Sequence, residues 1–158
     1  MLLPVQLVHY QTSFYSQLSR FSLSENQLAF TSLPIKLLAN LTTDQLPVVI
    51  TYEEKPAGFF LLNNGLRVNE YTSKRGGVLL TSLSIDTVYQ GMGIASEAIK
   101  QLPLFISGHF HQCKEVVLAV NMRNTPAQKL YIKAGFEDTG RRKMGPIGEQ
   151  MIMSLTVN

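Results

Sequence analysis

The sequence predicts an α/β fold of the α+β kind: a mixed, twisted, mostly antiparallel sheet of about seven strands with helices on both faces. Three observations predict it. Short runs rich in β-branched and leucine residues recur along the chain and alternate with stretches at helical spacing. One run, KEVVLAVN at 114–121, is apolar on both faces, as a central strand with a parallel neighbour is. Two others, Val48 to Tyr52 and Ala57 to Leu62, read as a hairpin. At 158 residues, 45% hydrophobic and 16% charged, the chain fits one domain over 1–158, with no linker, repeat or low-complexity segment.

Residues 3 to 9 are the first expected strand, and Thr12 or Ser13 caps a short helix carrying Phe14, Leu18 and Phe21. Ser24 followed by Gln27 has the pattern of a capping box and opens a second helical piece with Leu28 and Phe30. Pro34 divides it from a short apolar helix over Ile35 to Leu41. The hairpin follows, its strands joined by Glu53, Glu54, Lys55 and Pro56, and then Asn63 to Gly77 reads as a polar connection open to mobility. Val78 to Ile85 is a strand entering a glycine turn. The helix beyond it carries Ile94, Ala98 and Leu102 until Pro103 kinks or ends it, and Phe105 and Ile106 mark its resumption. After the central strand, Asn124 or Thr125 supplies an N-cap and Pro126 is tolerated in the first turn. Ala127, Leu130 and Ala134 follow at helical spacing, and Gly135 suits the left-handed position past the helix end. Phe136 to Met144 and Glu149 to Val157 close the chain as two strands around Gly145, Pro146 and Gly148.

The turn Gln90, Gly91, Met92, Gly93, Ile94, Ala95 leads straight into the helical run from Ser96. Glycines there let backbone N–H groups approach an anion, and the helix start adds partial positive charge; a diphosphate is the natural guest. A P-loop is excluded, because no glycine in the chain is followed by lysine. A dinucleotide fingerprint would need glycine where Ser96 stands and an acidic residue closing the next strand, whereas Glu115 opens it. What remains is Gln or Arg, two residues, Gly, one residue, Gly or Ala, met by Gln90, Gly93 and Ala95. Alone, this also describes an ordinary tight strand-to-helix turn. On the later helix Tyr131 lies one turn beyond Ala127, so a phenol sits beside a small-residue face where a ligand could be met; a tyrosine packed with its hydroxyl at the surface has the same pattern.

The turn QGMGIA together with Asn124, Ala127, Leu130, Tyr131, Lys133, Gly135 and Phe136 resembles the GNAT superfamily of N-acetyltransferases, from about residue 46 onward. The resemblance implies a sheet splayed between its two central strands, where acetyl-CoA enters. It implies that Leu83, Ser84 and Ile85 run beside the pantetheine arm, that Gln90, Gly91, Met92, Gly93, Ile94, Ala95 and Ser96 hold the diphosphate, and that Asn124 and Ala127 face the cofactor. Tyr131 falls where the family commonly has the acid that protonates the departing thiolate. A phenol of reference pKa about 10 is protonated at neutral pH and close enough to a thiol's roughly 8.5 to share a proton. Backbone N–H groups on the splayed strands would polarise the thioester carbonyl. Glu25, Phe30, Thr31 and Pro34 would then shape the acceptor side, though core or surface packing explains them equally.

The expected activity is transfer of acetyl from acetyl-CoA to a primary amine of a small molecule by direct attack. Acetylation of a protein N-terminus or lysine is the alternative in the same class, and a non-catalytic acyl-CoA-binding module the alternative outside it. The general base stays unassigned: Glu25, Glu53 and Glu70 are candidates by type only, and Asp86 looks structural. A net charge of +3, from 14 basic and 11 acidic residues without aromatic interleaving, gives no argument for nucleic acid. The lone Cys113 cannot form an internal disulfide and has no base placed for an acyl-enzyme. His109 and His111 lack a completing set of metal ligands and read as a solvated loop, so no metal is expected. With no membrane-length apolar run and no leader-like start, a soluble cytoplasmic protein is expected, with pairing into a homodimer an option.

Overall fold

Seven strands form: β1 (Val5–His9), β2 (Gln45–Tyr52), β3 (Lys55–Asn63), β4 (Val78–Ile85), β5 (Glu115–Asn121), β6 (Glu137–Gly145) and β7 (Gly148–Thr156). In the computed structural model, which describes residues 4–157, they make one mixed sheet in the order β1-β2-β3-β4-β5-β7-β6. Leu3, the expected start of the first strand, lies outside the described residues. Every pairing is antiparallel except β4 with β5. The doubly apolar run is therefore β5, held between a parallel neighbour and β7, with Val116, Val117 and Leu118 almost fully buried.

The helices are α1 (Tyr15–Leu18), α2 (Glu25–Leu28), α3 (Pro34–Ala39), α4 (Ile94–Lys100), α5 (Leu102–His109) and α6 (Thr125–Lys133). One sheet face, through Val48, Ile50, Phe60, Leu62, Leu80 and Leu118, packs on Ile94, Ala98, Ile99, Leu102 and Ile106 of α4 and α5 and on Tyr131 of α6. The other, through Val49, Phe59 and Leu61, packs on Leu18, Phe21, Leu33 and Leu37 around α1 and α3. This alternation along β2 and β3 is the period of two that sends neighbouring side chains to opposite faces.

Local signals account for several helix starts. Ser24 Oγ accepts from the Gln27 N–H at 3.3 Å and Gln27 Oε1 from the Ser24 N–H at 2.9 Å, a complete capping box. Pro34 opens α3, and Pro103 sits in the first turn of α5, so the apolar run breaks into two helices at Gln101. Three expectations are corrected. Neither Thr12 nor Ser13 caps α1: both lie in a 3-10 turn over Thr12–Phe14, preceded by Gln11 with no side-chain cap. The hairpin between β2 and β3 turns on Glu53 and Glu54 alone, both with positive φ, so Lys55 and Pro56 belong to β3. The connection at 63–77 is packed: a 3-10 turn over Leu66–Glu70 seats Val68 and then Tyr71 against Leu79, Val117 and Ile152.

What positions the site is the brevity of the parallel pairing. β4 and β5 are joined only at Val78 with Val116 and Leu79 with Val117, after which they diverge. On its other edge β4 stays paired to β3, but carries one extra residue between the pairs Leu61–Thr81 and Phe59–Ser84. That bulge contains Ser82 with φ +63, a conformation costing a residue with a Cβ on the order of 1–2 kcal/mol.

Candidate active site

Where β4 and β5 part, a cavity of about 800 Å³ opens between them, lined by Leu79 to Ile85 on one side and Leu118 to Asn121 on the other. Backbone groups of β4 that turn toward β5 beyond Leu79 have lost their partner strand, so the cavity wall presents unused N–H and C=O groups. Leu83, Ser84 and Ile85 lie on that wall. The Ser84 side chain is buried, and its hydroxyl makes no hydrogen bond.

The glycine turn closes one end. Gly91 has φ +80 and Gly93 φ +77, and a Cβ built on either meets no atom within 4 Å. The missing side chains thus leave open space at the turn, so it is the left-handed backbone and not close packing that calls for glycine there. Gly93 precedes α4, and the Glu97 N–H bonds back to the Gly93 carbonyl at 3.1 Å, leaving the N–H groups of the first turn without helical partners. Gln90, Gly91, Gly93, Ile94, Ala95 and Ser96 all line the cavity. Met92 does not, and is half exposed. The Gln90 side chain is engaged within the protein: its Nε2 donates to the Ile85 carbonyl at 2.8 Å and its Oε1 accepts from Gln27 Nε2 at 2.8 Å.

From the other half come Asn124, Ala127 and Tyr131. Asn124, not Thr125, is the N-cap of α6, with Oδ1 accepting from the Ala127 N–H at 3.4 Å. Tyr131 is buried, packs edge-on against Phe136 with ring centroids 5.5 Å apart, and its hydroxyl bonds to no described residue. Burial holds the phenol far above the ordinary tyrosine range, so it carries its proton throughout neutral pH.

Beyond Ser82 and Ser84 the cavity continues along Asn26, Gln27, Phe30 and Thr31 of the α2 region and along Arg67 and Tyr71. Phe30 and Thr31 thus line the cavity, whereas Glu25 and Pro34 do not. None of Glu25, Glu53 and Glu70 lines the cavity; Glu70 is paired with Lys143 at 3.1 Å. Asp86 accepts from the Ser22 N–H at 3.0 Å and holds the α1–α2 segment to the end of β4. Cys113 is buried with Sγ 3.2 Å from the Glu115 carbonyl, and burial pushes its thiol up, the opposite of an activated nucleophile. His109 is no loop residue: it ends α5 and its ring lies 4.1 Å from that of His9 and 4.2 Å from Phe105. Among the described residues no group of three or more His, Cys, Asp or Glu is arranged to hold a metal, and no helix is long and apolar enough to cross a membrane.

Sequence reasoning missed the bulge at Ser82, the guanidinium of Arg67, and Arg123, whose Nη2 donates to the Ile147 carbonyl at 2.9 Å. Nothing in the residue types marks the bulge. Arg67 sat in a segment read as a plain connection, although Val68 and Tyr71, three apart, carry the 3-10 signal that packs it.

Comparison with known proteins gives the same picture. Residues 10–136 match the model of the acetyltransferase (GNAT) family. The chain is 40% identical over 152 residues to the uncharacterized N-acetyltransferase YbbJ of Bacillus subtilis (strain 168), covering 94% of this chain and 95% of that one. It is 31% identical over 94 residues, 60% of each chain, to the spermine/spermidine N(1)-acetyltransferase of the same organism. Its fold is similar to that of the aminoglycoside acetyltransferase AAC(6')-Ib solved in complex with coenzyme A, with a TM-score of 0.75 at 16% identity over 96% of this chain and 94% of the other.

Proposed function

The chain belongs to the acetyltransferase (GNAT) family and is an acetyl-CoA-dependent N-acetyltransferase; from there we propose that it acetylates a primary amine of a small molecule by direct attack, with residues 1–158 acting as one catalytic domain and Tyr131 as the proton donor to sulfur. The observation that carries this is convergence: the glycine turn, the unpaired edge of β4 and the Tyr131 phenol all face one cavity. Relatives named for spermine and spermidine, and a similar fold solved with an aminoglycoside bound, support a small amine as acceptor.

Acetyl-CoA supplies an activated acetyl thioester. Gly91 to Ser96 would hold its diphosphate on backbone N–H groups, with Gln90 fixing the turn through its side chain. The open edge at Leu83, Ser84 and Ile85 would pair with the amide arm, and Asn124 and Ala127 would border it from α6. N–H groups of β4 that lack a strand partner would stabilise the charge that develops on the carbonyl. As the new nitrogen–carbon bond forms and the carbon–sulfur bond breaks, Tyr131 gives its proton to sulfur, and the surplus proton on nitrogen leaves through water and restores the phenol. No carboxylate of the described residues lines the cavity, so the amine enters as its free base or loses its proton to water.

The test is acetyl-CoA-dependent thiol release with small amines, comparing the parent with Tyr131→Phe. Turnover should fall by about two orders of magnitude, in keeping with the usual worth of a positioned acid, while calorimetric affinity for acetyl-CoA stays within twofold. A variant of full speed would remove Tyr131 from the reaction.

A further inference from the structure

We propose that the acceptor amine carries a carboxylate of its own, as free α-amino acids do, and that Arg67 receives it; the inference rests on the small-molecule reading above. Among the described residues, the charged side chains on the cavity wall are those of Arg67 and Arg123, and neither aspartate nor glutamate joins them. Arg123 is tied to the Ile147 carbonyl. Arg67, on the 3-10 turn that also seats Tyr71, makes no hydrogen bond or ion pair with any described residue. Its neighbours leave it uncompensated. Glu70, on the same turn, is held by Lys143 at 3.1 Å, and Lys143 itself lies 5.3 Å from the centre of the Tyr71 ring.

Polyamines and aminoglycosides carry several ammonium groups at neutral pH. In this cavity they would meet two guanidinium groups without a balancing carboxylate, a repulsive arrangement that selects against them. A guanidinium with its fork unused fits a carboxylate through two parallel hydrogen bonds. For the amine end the wall offers the neutral hydroxyl residues Thr81 and Ser82 of β4, while the Ser84 and Thr31 hydroxyl oxygens are buried within the wall without a hydrogen-bond partner. Such hydroxyls accept an N–H from an uncharged amine, the nucleophilic form, whereas a carboxylate in their place would favour the ammonium and withhold the lone pair.

Thiol release from acetyl-CoA would be followed with three acceptor sets: the free α-amino acids, their α-carboxamides, and polyamines with aminoglycosides. Calorimetric binding of acetyl-CoA is measured on the same preparations. At least one free amino acid should be turned over, with kcat/KM tenfold or more above its carboxamide and above any polycation. Arg67→Gln should collapse that preference for the acid over the amide, chiefly through KM, and Arg67→Lys should recover part of it. Turnover confined to the polycations, equal use of acid and amide, or no turnover of any amino acid overturns the acceptor class and leaves acetyl transfer standing. Failure to bind acetyl-CoA overturns both readings.

Discussion

Tyr131 shows how a single burial decides a group's chemistry twice. Surrounded by α6, Phe136 and the apolar face of the sheet, its phenol has only the cavity to meet. That secures the proton at neutral pH, and it also makes the tyrosinate a costly species, so the proposed donation would have to be coupled to prompt return of a proton from the amine. The same burial has a consequence for stability. The folded pKa lies above the unfolded value near 10, so the contribution of this group is full below about pH 10 and is lost as pH rises through the folded value. Chemical denaturation across the alkaline range should therefore find the parent losing stability more steeply above about pH 10 than Tyr131→Phe does. The place of Tyr131 on the cavity wall was legible because its motif is local, running from Asn124 to Phe136 across α6 and its two ends. Arg67 and Ser82 were not, because their roles come from where a bulge and a 3-10 turn bring the backbone, and residue type alone does not encode either.

Among the elements, the strands and several helix starts were legible in the sequence, whereas the start of α1, the hairpin turn and the bulges were not. The capping box at Ser24, the proline at the start of α3 and the break before Pro103 are each satisfied within a few residues. A two-residue hairpin turn with positive φ at both positions is usually announced by asparagine or glycine, and Glu53-Glu54 announces nothing. The edge strand β6 likewise hides two extra residues between Asp138 and Arg142, with Gly140 at φ +82. There Arg142 donates to both oxygens of Asp138 at 2.8 and 3.0 Å, which holds the Asp138 carboxyl below the usual range. The glycine turn before α4 is the element on which the cofactor reading depends most. Because a side chain at Gly93 would point into open space, Gly93→Val should fold with a loss on the order of 1–2 kcal/mol for its left-handed backbone. It should bind acetyl-CoA at least tenfold more weakly, about 1.4 kcal/mol. Thermal melting and calorimetry on the same sample separate the two effects, and undiminished affinity would move the diphosphate elsewhere.

Across the molecule the site exists because two central strands are clamped at one end and free at the other. The clamp includes a buried carboxylate: Glu115 opens β5, with Oε1 accepting from Thr72 Oγ1 and Oε2 lying 3.5 Å from Lys74 Nζ, next to the two parallel pairs that close the sheet. Glu115 is 5% exposed, so Thr72→Val leaves it short of a partner and should cost about 1–3 kcal/mol, read as a lower denaturation midpoint. If the midpoint is unchanged, Thr72 is not part of the clamp. At the free end, the sheet lacks what would be the next rungs of its own ladder from Leu80 onward. A guest lying there, as we propose for acetyl-CoA, would finish a secondary structure that the polypeptide leaves incomplete, and so would act as a component of the fold as well as a reactant. The durability of this chain is then set partly by the surrounding pool of that guest: a hundredfold excess over its dissociation constant adds about 2.7 kcal/mol. Starvation for the acetyl donor would weaken the protein at the same moment that it idles it.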